Sequence, residues 1–377
     1  MKIMHLSDLH LGKRVNEYSL LEEQEYILMK ITNVIDDERP QVVIIAGDVY
    51  DKSVPSAEAV RLFDDFLVRL AQRELQVFVI SGNHDSPERI AFGNRLMDAS
   101  GIHMSPMYNG KVEPVTLFDE NGEVNFYMLP FVKPINVRRF FPDDIIESYT
   151  DAIRIAIANM NVDSSKRNVL VTHQFVTGAA RSDSEDINIG GSDNIDVNVF
   201  ENFDYVALGH IHGPQNVCSE RVRYCGTPLK YSFSEVKHKK SVTIVALGAK
   251  DDIQVRTVEL VANRDWMEIK GTYNELIAKS YYNNFDKNSF MHIILKDEND
   301  IPDAIGKLRI VYPNLMKLDY DNTRTRSNTI IDGIENIESK TPLELFEEFF
   351  EKQNNQEMTS EQRDFANSMI KNIWRAD

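Results

Sequence analysis

The sequence predicts a layered α/β fold, and three observations carry that prediction. Short continuous apolar runs alternate with longer amphipathic stretches over the first two-thirds of the chain. The runs are bounded by Gly, Asp or Asn, which suits strands buried on both faces. Five of them deliver Asp, Asn or His at their carboxyl ends, where open α/β sheets bind ligands.

In chain order, residues 3–6 form the first expected strand. Leu20, Ile27, Ile31 and Val34 recur at helical spacing and predict a helix over 20–35. Val42–Ala46 reads as a strand, Ala57–Ala71 as a helix and 77–80 as a strand. Later strands are expected at 169–171, 205–208 and 242–245. The pattern changes near Asn263. Residues 292–295, 301–312 and 316–318 read as strand, helix and strand, enough for a small α/β domain. Beyond Pro342 the spacing turns helical, with Leu343, Phe346, Phe349 and Phe350 on one face and Phe365, Met369, Ile373 and Trp374 on another. The expected divisions are a main domain over 1–260, a small domain over 264–320, a polar linker over 321–340 and a helical segment over 341–377. There is no internal repeat or low-complexity tract.

Composition sets further bounds. The 377 residues are 42% hydrophobic and 27% charged, which excludes wholesale disorder, collagen and a coiled-coil rod. Lys and Arg total 42 against 59 Asp and Glu, a net charge of −17. Diffuse basic attraction to nucleic acid is therefore excluded, and any grip on DNA must be local, metal-borne or supplied by a partner. Two cysteines, Cys218 and Cys225, do not make a disulfide scaffold. The opening residues carry no apolar leader and no run approaches the roughly 20 residues a bilayer needs, so a soluble cytoplasmic protein is expected. No Gly-x-x-x-x-Gly-Lys-Ser/Thr loop occurs, so any use of ATP must come from a partner.

The informative residues are those at the strand ends: Asp8 and His10, Asp48, Asn83 and His84, His173, and His210 and His212. Setting His84 aside, they offer four imidazoles, two carboxylates and an amide, and no thiolate. Such a set suits divalent Mn, Fe or Zn. It is too large for one tetrahedral ion but sufficient for two if a carboxylate bridges. Asp48 is the natural bridge, because it follows a buried strand and a glycine that permits a tight turn. Asp8 and His10, like His210 and His212, are two residues apart, so on an extended backbone each pair projects to one side. Two ions about 3.5–4 Å apart activate water and clamp a phosphoryl oxygen, which suits hydrolysis of a phosphate ester. His84 should diverge from Asn83 and act either as general acid or as an imidazolium that stabilises the phosphoryl charge.

Asp8-Leu9-His10, Gly47-Asp48-Val49-Tyr50-Asp51, Gly82-Asn83-His84-Asp85, Thr172-His173 and Gly209-His210-Ile211-His212 stand in the order of the five motifs of the calcineurin-like metallophosphoesterases, which the chain resembles. The opening His5-to-Gly12 stretch, 204–215 and 224–235 are similar to the nuclease subunits of bacterial nuclease–ATPase complexes. The resemblance covers 1–260 strongly and the remainder weakly. It implies a metallophosphoesterase sandwich with a small α/β capping domain facing DNA and a C-terminal helical segment. It implies one metal held by Asp8, His10, Asp48 and His212, a second held by Asp48, Asn83, His173 and His210, and His84 as the catalytic histidine. Manganese is the implied metal. The implied activity is a DNA nuclease in repair, recombination and replication, exonucleolytic on double strands and endonucleolytic on single strands or hairpins. The implied partners are DNA, an SMC-like ABC ATPase docked on the C-terminal helices, and a second copy of this chain within a heterotetramer. The pattern departs at Asp51, where archaeal and eukaryotic relatives carry a second histidine, and Asp51 receives no catalytic role. A metallophosphatase acting on nucleotides or phosphoproteins is the alternative.

Other polar residues have plainer readings. His5, His103, His238 and His292 are expected to be structural. Arg89 is expected to pair with an acidic neighbour rather than a DNA phosphate, and 237–240 to form a solvated turn. Arg324 and Arg326 sit in the linker and favour neither structure nor DNA.

Overall fold

Val42–Ala46 is buried at every position and lies inside a six-stranded sheet. The order is Ile253–Glu259, Ser241–Leu247, Lys2–Leu6, Val42–Ala46, Gln76–Ile80 and Ile102–Met104. The four strands from Lys2–Leu6 onward are parallel, and the other two are antiparallel. A second six-stranded sheet runs Gln215–Val217, Ser219–Tyr224, Tyr205–Gly209, Arg167–His173, Gly122–Leu129 and Val115–Asp119. Its four inner strands are parallel and each edge is an antiparallel hairpin. This computed structural model describes residues 1–182, 185, 193–323, 325, 341–354 and 358–374.

The two sheets pack face to face. Ile3, Val42, Ile44, Phe78 and Ile80 of the first share one core with Val124, Phe126, Val169, Val171 and Tyr205 of the second. Phe78 and Phe126 stack with ring centroids 4.5 Å apart. Alternation then sends Tyr127 and Leu129 to the outer face, where they meet Ile153, Ala156 and Ile157 of the helix Tyr149–Ala158. Strands buried on both sides need near-continuous apolar sequence. Each such side chain contributes about 1.5–3 kcal/mol. The helices Leu21–Glu38 and Ala57–Ala71 bury one stripe each, Ile27, Leu28, Ile31 and Ile35 on the first and Phe63, Phe66, Leu67 and Leu70 on the second. Ser56 starts the second by accepting the Ala59 N–H at 3.3 Å.

The chain divides into two compact units, Met1–Asp265 and Trp266–Asp377. In the second, three parallel strands lie in the order Trp266–Gly271, Phe290–Leu295 and Leu315–Tyr320. Their core joins Ile269, Met291, Ile293 and Leu315 to Leu308 and Tyr312. The helix expected over 301–312 is shorter, Ala304–Arg309, because Asp303 turns left-handed and caps it by accepting the Gly306 N–H. Two helices, Pro342–Asn354 and Ser360–Trp374, follow. Arg324, Arg326 and most of 321–340 lie outside the described residues. No helix among the described residues is long and apolar enough to cross a membrane. Cys218 is exposed and Cys225 buried, and both are free.

Candidate metal centre

Polar side chains gather where strands of both sheets stop. Asp8 and His10 follow Lys2–Leu6, Asp48 follows Val42–Ala46, and Asn83 and His84 follow Gln76–Ile80. His173 closes Arg167–His173 in register with Gly209, and His210 and His212 come just after.

The backbone is forced there. Asp8, His10, Asp48 and His210 hold φ of 52°, 44°, 49° and 103°. Left-handed backbone costs a non-glycine residue roughly 1–2 kcal/mol and persists where its surroundings impose it. Asp8 N–H donates to the Gly47 carbonyl at 3.0 Å and His10 N–H to the Asp48 carbonyl at 2.9 Å. His210 N–H donates to both Asp8 carboxylate oxygens, at 3.0 and 3.2 Å, and His84 N–H to Asp48 Oδ1 at 2.9 Å. Only glycine fits at two of the flanking positions. A Cβ on Gly82 would stand 2.1 Å from Asp48 Oδ1, and one on Gly209 1.9 Å from the Ala46 carbonyl oxygen.

Three groups of ligand atoms each fall within 4.8 Å: Asp8, His10 and His212; Asp8, Asp48 and His173; and His10, Asp48 and His84. Asp48 Oδ2 lies 3.3 Å from His173 Nε2, 3.7 Å from His10 Nε2 and 4.0 Å from His84 Nε2. Asn83 Oδ1 lies 3.0 Å from His173 Nε2 and 2.9 Å from His210 Nδ1. The other six donors and His84 thus gather near Asp48, directly or through a neighbouring donor. The expectation from i and i+2 spacing fails for His210 and His212. The extended backbone it needs is lost at His210, and the two rings part, His210 to Asn83 and His212 to His10. His84 turns away from Asn83 as expected: its Nδ1–H donates to the Asp51 carbonyl at 3.1 Å, and its ring meets His10 edge-on.

These residues fit a pair of divalent ions. His10 Nε2 and His212 Nε2 are buried 3.2 Å apart, a spacing that suits two nitrogens each about 2.0–2.1 Å from one ion. His173 donates Nδ1–H to the Ala46 carbonyl at 2.8 Å, which turns Nε2, the nitrogen an ion would take in exchange for its proton, toward Asp48 and Asn83. Electrostatics agree. Burial lifts the Asp8 carboxyl to about 6. Burial and then the Asp48 charge lift Asp85 to about 7. Asp48 is pushed up by its own burial but held well below the carboxylate range by His173 and His10. His173 is lowered by burial, yet Asp48 carries it up to about 9. Burial and the neighbouring His173 take His210 down to about 3. The rim concentrates negative charge that a cation would relieve.

Several groups here carry roles that sequence reasoning did not assign. Asp85 is buried and accepts the N–H groups of Val49 at 3.1 Å, Tyr50 at 2.9 Å and Gly82 at 2.9 Å, tying two strand-end loops together. It stands inside the Gly82-to-Asp85 motif, so a signal existed. Glu235 lies 3.2 Å from His212 Nδ1, and Glu185 Oε1 accepts the His212 N–H at 2.7 Å. Asp51 pairs with Lys13 at 2.7 Å. The expected solvated turn over 237–240 needs correcting: Lys237 and Lys239 are exposed, but Lys240 is buried because Glu235 draws its charge inward. Arg89 makes no ion pair with the described residues, since its neighbour Glu88 accepts from the Ser86 hydroxyl instead. His5 is buried against the Tyr205 hydroxyl at 2.8 Å, and His103 bonds Asp98 and Gln76.

A family model described as calcineurin-like phosphoesterase matches residues 1–214. A second, described as type 5 capsule protein repressor C-terminal domain, matches 263–354. The SbcD component of the SbcCD nuclease from Staphylococcus epidermidis is 32% identical over 373 residues, 97% of this chain and 96% of that one. Its namesake from Staphylococcus saprophyticus subsp. saprophyticus is 36% identical over 342 residues, 90% of this chain and 89% of the other. Among solved structures, a dimetal phosphatase from Danio rerio aligns over 68% of this chain and 95% of its own, with 13% identity and a TM-score of 0.40.

Proposed function

The chain belongs to the calcineurin-like phosphoesterases and, within them, to the SbcD components of SbcCD nucleases, and we propose that it cleaves DNA phosphodiesters with two manganese ions. On double strands it acts as an exonuclease, and on single strands or hairpins as an endonuclease, in DNA repair, recombination and replication in the cytoplasm. The observation that carries the reading is the convergence of donors from both sheets on Asp48. Asp8, His10, Asp48 and His212 would hold one ion, and Asp48, Asn83, His173 and His210 the other. When bound, such a pair activates water and offsets the charge that develops on phosphorus. Asp48 supplies the negative charge both positions share. His84, with Nδ1–H fixed on the Asp51 carbonyl, presents Nε2 to the same space. As an imidazolium it would donate its Nε2 proton to the leaving oxygen.

An SbcD chain works with SbcC, which supplies the ATPase this chain lacks. The helices Pro342–Asn354 and Ser360–Trp374 support its docking. Phe346, Phe350, Phe365, Met369 and Ile370 line an apolar groove, and Phe349 and Phe365 are 59% and 68% exposed. A coiled coil offers the apolar face that such a groove takes. Residues 264–320 would cap the DNA. The exposed side chains of Phe92 and Leu96 support pairing with a second copy in a heterotetramer.

The test is a manganese assay on linear duplex and hairpin DNA, with the ATPase present, beside p-nitrophenyl phosphate. Cleavage of DNA is the expected result. Strong ester turnover with intact DNA would instead make the protein a phosphatase of nucleotides or phosphoproteins.

A further inference from the structure

Glu235 ends a short turn, Phe233–Glu235, and is wholly buried. A carboxylate taken out of water loses several kcal/mol unless it is paired and hydrogen-bonded. Here both oxygens are used. Oε1 lies 3.2 Å from His212 Nδ1, and Oε2 lies 2.5 Å from Lys240 Nζ. Lys240, itself buried, also donates to the His212 carbonyl at 2.9 Å and to Thr227 Oγ1 at 2.6 Å. Thr227 N–H reaches the same carbonyl at 3.2 Å, and Glu185 takes the His212 N–H. One histidine is thus held at its ring, its N–H and its carbonyl by a buried ionic array. His10, which faces it, is held otherwise: its Nδ1 has no hydrogen-bond partner among the described residues, and the Asp51 carboxylate stands 3.8 Å away.

We propose that Glu235 is a positioning residue for one ion of the pair: with Lys240 as its counter-charge, it takes the Nδ1–H of His212 and fixes the tautomer whose Nε2 lone pair faces His10. This rests on reading His212 as an ion ligand. A neutral imidazole carries its proton on either nitrogen, and only a partner that accepts at Nδ1 keeps Nε2 bare. A carboxylate there also makes the ring a stronger donor to a cation. Lys240 has a separate task. It balances Glu235, and because the same ammonium grips the His212 carbonyl, the backbone and the ring of His212 are set by one pair of charges.

Two double variants of the full chain separate positioning from support. Glu235→Met with Lys240→Met removes the acceptor without stranding a buried charge, a replacement that buried ion pairs tolerate. Glu235→Gln with Lys240→Met keeps a neutral oxygen that can accept from Nδ1–H. Manganese binding is followed by electron paramagnetic resonance, and the His212 tautomer by 15N spectra of histidine-labelled, ion-free protein. In the first variant one ion should bind as in wild type and the other roughly 10–100-fold more weakly, the usual cost of losing such a partner. His212 should move its proton to Nε2. In the second variant the Nδ1–H tautomer and most of the affinity should return. Two ions bound normally by both variants, or equal loss in both, would overturn the proposal. Wild type that binds no manganese overturns the dimetal reading itself, while the tautomer spectra still decide whether Glu235 sets the ring.

Discussion

His173 and His292 each face side-chain oxygens, and the contrast separates a cation site from an ion-pair cluster. His292, on the middle strand of the second unit, has Glu268 Oε2 at 2.9 Å from Nδ1 and Asp319 Oδ2 at 2.8 Å from Nε2. The two carboxylates are 47% and 46% exposed and meet opposite edges of the ring, so they cannot share an ion with it. His173 gives Nδ1 to a backbone carbonyl and turns its free edge to Asp48 and Asn83 inside the protein. Both places hold a histidine and acidic neighbours. What distinguishes them is whether the donors converge and whether water already screens the charge.

The strongest way to break the contrast is Asp48→Ala. It should empty both ion positions by metal analysis and take DNA hydrolysis to background, whereas one tightly held ion would contradict a shared carboxylate. Next comes His84→Ala. Hydrolysis should fall roughly 10²–10⁴-fold while metal content stays near wild type if the residue moves a proton as proposed, and a loss of metal would make it a ligand instead. Chelation should act more gently, through stability. Ion binding at a hundredfold excess over Kd contributes about 2.7 kcal/mol per site. Without ions, the raised carboxyls of Asp8, about 6, and Asp85, about 7, favour the fold while protonated, and that support is lost as pH rises through those values. The drop in Tm caused by chelator should therefore be larger at pH 8 than at pH 5. Equal drops at both would mean that ions and these carboxyls do not compete for the same charge. The smallest effect belongs to His292→Gln. The His292 ring is buried but its two carboxylate partners are about half exposed and screened by water, so denaturant melts should shift by about 1 kcal/mol and metal content and hydrolysis not at all.

Much of the sandwich is legible in the sequence because a strand covered on both sides must be apolar throughout, as Val42–Ala46 and Tyr205–Gly209 are. The edges are harder to read. Val115–Asp119 alternates half-buried and exposed residues, and Trp266–Gly271 interleaves Glu268 and Lys270, so neither offers a continuous run. The hairpin joining Val115–Asp119 to Gly122–Leu129 did leave a mark, a two-residue turn closed by Gly122 at φ 100°. At the rim, the identities of the donors are legible and their directions are not. Spacing rules assume extended backbone, and four of these residues abandon it. Glu185, Glu235 and Lys240 reach His212 through folding alone, from positions with no periodic signal.

One consequence follows from where the donors originate. Asp8, His10, Asp48 and Asn83 hang from the first sheet, and His173, His210 and His212 from the second. Any cation they share is a clasp across the seam of the sandwich, cross-linking segments far apart along the chain. Filling the rim would then slow hydrogen exchange in both sheets at once, and ions bound there for hydrolysis would also fasten the two halves of the sandwich that carries them.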